Sequence, residues 1–132
     1  MSKVIKAGLG YTQTGTPYYA SPEVWEDHPY DTKSDIWSLG CVLYEMCNLK
    51  PPFRAPDMKT LYTVVRRGKP QRIKTRYSED LWKVIRHMLS VNPKRRPTCE
   101  QILKMEEVRS RADEMIRDED HLGNEIPKMV FT

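Results

Sequence analysis

Ile36-Trp37-Ser38-Leu39-Gly40-Cys41-Val42-Leu43-Tyr44-Glu45-Met46-Cys47 is the stretch around which the rest of the chain must be arranged. It is long enough for a helix, contains no proline, and carries apolar residues on nearly every face. Ser34 is the expected N-cap, with Asp35 in the first turn, where a carboxylate suits the positive end of the helix. A helix that is apolar all round is ordinarily buried all round. Covering it takes several layers of neighbours, and the rest of a 132-residue chain is short for that. Helix 34–47 is therefore expected to lack cover on one side.

On the C-terminal side, Pro51-Pro52-Phe53 stops the helix. Asp57 is placed to cap a second helix bearing Met58, Leu61, Val64 and Val65, and Gly68 is placed to end it. Residues 68–77 form a basic loop. Ser78 caps a third helix, in which Leu81, Val84, Ile85, Met88 and Leu89 fall at i, i+3, i+4, i+7 and i+8, an amphipathic stripe. Asn92-Pro93 ends it. Thr98 and Gln101 form a capping box for a fourth helix, and its pattern runs on through Arg109, Ala112 and Ile116 before a loose tail of ten residues. On the N-terminal side, the first 22 residues are rich in Gly, Thr, Tyr and Ser and predict an extended loop. No alternating β pattern occurs, so the fold class is mainly α.

Composition narrows the function. Apolar residues are 39% and charged residues 30%, too apolar for a disordered chain. No apolar run approaches the ~20 residues of a membrane span, and no signal-peptide core is present, so a soluble intracellular chain is expected. Cys41, Cys47 and Cys99 are odd in number without CxxC spacing, which points to reduced thiols and away from a zinc site. His28, His87 and His121 lack metal-ligand spacing, and no metal site is expected. The net charge is +4. Its excess lies in the second half, above all in Arg66-Arg67-Gly68-Lys69-Pro70-Gln71-Arg72-Ile73-Lys74-Thr75-Arg76. Apart from nearby Tyr77 this run lacks interleaved aromatics. A solvated loop or a face for an acidic protein therefore fits better than a nucleic-acid site. Gly8-Leu9-Gly10 begins like a phosphate-binding loop, but the third glycine and the preceding strand are missing. The alternating charges from Glu106 to Asp118 favour a solvent-laced helix, with too few heptads for a coiled-coil dimer.

Four ordered motifs carry a resemblance. Gly15-Thr16-Pro17-Tyr18-Tyr19-Ala20-Ser21-Pro22-Glu23 precedes Lys33-Ser34-Asp35-Ile36-Trp37-Ser38-Leu39-Gly40-Cys41. Pro51-Pro52-Phe53 and Asn92-Pro93-Lys94-Arg95-Arg96-Pro97-Thr98 follow. The set resembles the C-terminal lobe of a eukaryotic protein kinase, with Ser21-Pro22-Glu23 as a variant of the APE motif. Its wording is most similar to the NIMA-related (NEK) serine/threonine kinases. The resemblance implies a partial kinase domain over 1–104, with the activation segment at 2–23, the helical C-lobe at 24–104, and a C-terminal helix and tail at 105–132.

The resemblance also assigns roles. Glu23 and Arg96 would form a buried bidentate pair tying the activation segment to a late helix. Asp35 would anchor the catalytic loop by accepting backbone N–H bonds. Thr12 would be the regulatory phosphorylation site, with Thr14 the second candidate. Thr16 would act near the catalytic aspartate, and Pro17, Tyr18 and Tyr19 would shape the pocket for the residue after the phosphoacceptor.

Phosphoryl transfer also needs a glycine-rich lid, a nucleotide-binding lysine, a catalytic-loop Asp and Asn, and a DFG aspartate. None of these motifs occurs in the 132 residues. Ser2-Lys3-Val4 looks like the strand leaving DFG. The expectation is a piece of a NEK kinase with no catalytic residue and no cofactor of its own, ATP and Mg²⁺ belonging to the intact enzyme. The alternative is a non-catalytic docking module of a cytoskeletal or ciliary assembly. Expected partners are a protein substrate or assembly partner, with self-association through exposed apolar helix surface, and no nucleic acid or membrane. The expected location is the cytoplasm, with cytoskeletal or ciliary association.

Overall fold

A computed structural model describes residues 16–131, with side chains over 16–120. The chain divides after Thr98 into two compact units. The first holds α1 (Pro22–Trp25), α2 (Thr32–Asn48), α3 (Met58–Arg67), α4 (Glu79–Met88) and a 3-10 turn, Pro93–Arg95. The second holds α5 (Cys99–Lys104) and α6 (Glu106–Phe131). The described residues contain no β-strand, in keeping with the mainly α expectation.

The first unit is built on α2. Its N-cap is Asp31, not Ser34, because Asp31 takes the extended backbone and its carboxylate accepts from the Lys33 and Ser34 amides at 2.9 and 3.2 Å. Ser34 is the third helical residue. Its hydroxyl accepts from the Asp31 amide at 3.3 Å and completes a reciprocal capping box. The helix ends at Leu49, whose φ of 60° puts a non-glycine residue in the left-handed region.

Trp37, Cys41, Tyr44 and Cys47 are buried on the inner face of α2. Trp37 stacks on Phe53, with centroids 5.3 Å apart and planes 9° from parallel. Tyr44 meets Trp82 of α4 at 6.4 Å. Gly40 lets α2 and α4 approach closely, since a Cβ there would lie 2.9 Å from Met88 Cβ and 3.1 Å from Leu89 Cδ2. Leu61 and Val65 of α3, Ile73, and Ile85 of α4 complete the core. Asp57 and Ser78 cap α3 and α4 through the Thr60 and Leu81 amides, and Gly68 ends α3 at φ 66°. Trp25 packs on Tyr62, with ring centroids 5.8 Å apart, which joins α1 to α3.

Burial of α2 is not all round. Leu39, Val42, Met46 and Leu49 are exposed at 45%, 42%, 68% and 74% and follow one face of the helix. Two other expectations also change. The fourth predicted helix breaks at Met105, whose amide bonds the Ile102 carbonyl at 3.2 Å, and α6 starts anew at Glu106. The last residues are not a loose tail, because α6 continues to Phe131.

Candidate functional site

The site is built where residues 16–23 meet the start of α2 and the turn around Arg96. Pro22 sits in the first turn of α1, where its missing N–H costs nothing, and this turn buries Glu23. Asn92 caps the 3-10 turn through the Lys94 amide, and Arg96 follows in extended conformation with its side chain turned inward.

Glu23 and Arg96, 73 positions apart, form a two-pronged ion pair. Nη1 of Arg96 lies 2.6 Å from Oε2 of Glu23, and Nη2 lies 2.8 Å from Oε1. The Arg96 side chain is fully buried. Its other donors reach the carbonyls of Lys33 at 2.9 Å, Ser90 at 2.8 Å and Val91 at 3.2 Å. Its guanidinium lies over the Trp37 ring, 5.0 Å from the centroid. The Ser34 hydroxyl donates to Oε2 of Glu23 at 2.9 Å. Burial pushes the Glu23 carboxyl upward. The Arg96 hydrogen bonds, a backbone amide, the Arg96 charge and Ser34 outweigh it and hold the carboxyl below its usual value. A buried charge pair is tolerated when every donor and acceptor is satisfied, as here.

The preceding segment lies against α2. The Tyr18 amide bonds the Thr16 carbonyl at 2.9 Å. Ser38 donates to the Tyr19 carbonyl at 2.9 Å, and the Tyr19 hydroxyl donates to the Glu45 carboxylate. That bond, with burial and the Glu45 charge, pushes the Tyr19 phenol up to about 12. Thr16 and Tyr19 are exposed, Pro17 is buried and Tyr18 half-buried, so the segment presents an alternating ledge to solvent. Asp35 is exposed on the first turn of α2, with no side-chain hydrogen bond among the described residues. Thr12 and Thr14 lie outside the described residues.

Sequence reasoning missed Ser34 as the bridge between cap and ion pair, although Asp31-x-x-Ser34 is itself a capping signal. It also missed Ser38 and Glu45 as tethers of Tyr19, for which local sequence carries no signal. Among the described residues no group of three His, Cys, Asp or Glu could hold a metal ion. Cys41 is fully buried, and that burial pushes its thiol well up from the usual value. No helix among the described residues is long and apolar enough to cross a membrane.

A protein kinase domain profile matches residues 1–107. Serine/threonine-protein kinase Nek2 of Homo sapiens is 44% identical over 106 residues, 79% of this chain and 24% of that protein. Nek3 of Mus musculus is 47% identical over 92 residues, 70% of this chain and 18% of that protein. Nek1 of Mus musculus is 46% identical over 96 residues, 73% of this chain and 8% of that protein. The chain thus spans a quarter or less of the length of these relatives.

Proposed function

We propose, for a chain that belongs to the protein kinase family, that it supplies the activation segment and helical C-lobe of a NIMA-related serine/threonine kinase. Residues 2–23 are the segment, 24–104 the lobe and 105–132 a C-terminal extension. The intact enzyme transfers the γ-phosphate of ATP to serine or threonine of a protein, with Mg²⁺. The 132 residues alone are catalytically inactive. The buried Glu23–Arg96 pair carries this reading, because it pins the end of the segment to the lobe.

The roles of the chain's own residues follow from that pin. Thr16 to Tyr19 form a ledge for the substrate residue after the phosphoacceptor, held by Ser38 at the backbone and Glu45 at the phenol. Asp35, exposed on α2, is free to accept N–H bonds from a catalytic loop. Thr12, or secondarily Thr14, is the regulatory phosphorylation site, where a phosphate adds close to two negative charges. The assignment of the enzyme to the cytoplasm, with cytoskeletal or ciliary association, rests on the NEK likeness alone.

The test is ATP-dependent phosphorylation of a generic serine/threonine substrate by the purified chain, against a matched blank. No turnover is expected, and turnover above the blank contradicts the reading. The uncovered α2 face supports a second reading, a docking module without catalysis. Recovery of the chain from cells inside a larger assembly, with no upstream kinase sequence attached, would favour that one.

A further inference from the structure

A second concave surface shares no residue with the Thr16–Glu23 ledge. It is a groove of about 620 Å³ between the end of α2, the α2–α3 connection and the loop after α3. Five cations line it: Lys50, Arg54, Lys69, Arg72 and Lys74. No carboxylate lines it. Arg72 pairs with Glu79, which lies outside the lining, and the other four cations are exposed. The apolar part of the lining is Pro51, Pro52 and Val64, each half-buried.

The walls are held before anything binds. Asn48 Oδ1 accepts from the Lys74 amide at 2.9 Å, which ties the basic loop to the end of α2. Arg72 bonds both the Ile73 carbonyl and Glu79, and Ile73 is 1% exposed in the core. Cations brought together without counter-charge repel one another, and an anion in the groove relieves that repulsion. A pre-set wall lowers the ordering cost of binding.

We infer that this groove docks an acidic peptide segment of a partner protein, with carboxylates facing Lys50, Arg54, Lys69 and Lys74 and an apolar side chain against Pro52 and Val64. Single-stranded nucleic acid needs aromatic faces on which bases stack. The one aromatic residue of the lining, Tyr44, is 4% exposed and packed against Trp82. The groove's cations all lie outside the motifs that carry the kinase resemblance, although Pro51 and Pro52 of its lining belong to one of them.

The experiment is fluorescence anisotropy of the full 132-residue chain with a labelled glutamate-rich peptide bearing a central leucine. A lysine-rich peptide and a single-stranded RNA serve as comparators. The acidic peptide is expected to bind at low salt and weaken as salt rises. The double variant Arg54→Glu and Lys69→Glu is expected to lose it by about tenfold or more. An unchanged far-ultraviolet circular dichroism spectrum and thermal melt show that the variant is folded, and the charge-neutral variant Arg54→Gln with Lys69→Gln is expected to lose less. The control Lys94→Glu with Arg95→Glu, both exposed and outside the groove, is expected to leave binding unchanged. No binding of the acidic peptide at low salt overturns the proposal. So does an equal loss in the control variant, a folded double variant that binds the acidic peptide as well as the wild type, or tighter binding of the lysine-rich peptide or of RNA than of the acidic peptide.

Discussion

Lys33 and Arg96 clasp each other's backbone: the Lys33 ammonium donates to the Arg96 carbonyl, and the Arg96 guanidinium donates to the Lys33 carbonyl at 2.9 Å. The clasp fixes the first turn of α2 against the chain that carries Arg96. Glu23 meets an arginine that the Lys33, Ser90 and Val91 carbonyls also hold. The ion pair is the visible part of a network that also includes Ser34, Ser90 and Val91.

That network sets an acid limit on stability. The folded Glu23 carboxyl titrates below its ordinary value of 4.5. A carboxyl depressed by folding contributes stability above its unfolded pKa, and the contribution is lost as pH falls through the folded one. Thermal melts of the chain should therefore drop as pH falls below 4.5. Glu23→Gln should melt lower at neutral pH and show a shallower acid slope. Tyr19 works at the other end. Its phenol rises from 10.0 to about 12 on folding, so its contribution is whole below pH 10 and is lost as pH climbs toward 12. Tyr19→Phe should remove that alkaline loss.

Gly40 tests the packing of α2 on α4. Alanine at a helix interior gains roughly 1 kcal/mol over glycine. Here its Cβ would meet Met88 Cβ at 2.9 Å, an atom next to the backbone that cannot swing away. Overpacking of this kind costs about 1–3 kcal/mol. Gly40→Ala should lower the denaturant midpoint on balance, whereas a raised midpoint would show that the two helices can part without loss.

The face of α2 carrying Leu39, Val42, Met46 and Leu49 makes a prediction about association. Contiguous exposed apolar surface marks a contact site. The isolated chain should self-associate, melt broadly, or co-purify with a partner. Leu39→Lys with Met46→Lys should shift it toward a monomer in size-exclusion and light-scattering measurements. A wild-type chain that is monomeric and melts sharply would contradict this.

Much of the fold was legible because the signals were local. Asp57, Ser78 and Gly68 sit where their cap chemistry puts them, and the stripe from Val84 to Leu89 is buried as its period requires. The start of α2 was misread because Asp31 and Ser34 are both good cap residues. The choice falls to Asp31 because Ser34 is drawn into the network around Glu23. The break at Met105 has no proline or glycine to announce it. At the site, Glu23 and Arg96 were named only through likeness to a kinase, since nothing local links residues 73 apart. The links from Ser38 and Glu45 to Tyr19 are tertiary and left no trace in residue order.

The most direct test of the central claim is a double-mutant cycle on Glu23 and Arg96, read by denaturant unfolding. Each alanine variant should lose about 3–5 kcal/mol, because the remaining charge is stranded in the interior. Arg96→Ala should lose more than Glu23→Ala, since three carbonyls also lose their donor. The account predicts that the double variant is far less damaged than the sum, by about 2 kcal/mol or more. Additivity within about 0.5 kcal/mol would contradict it, because the two residues would then be acting separately.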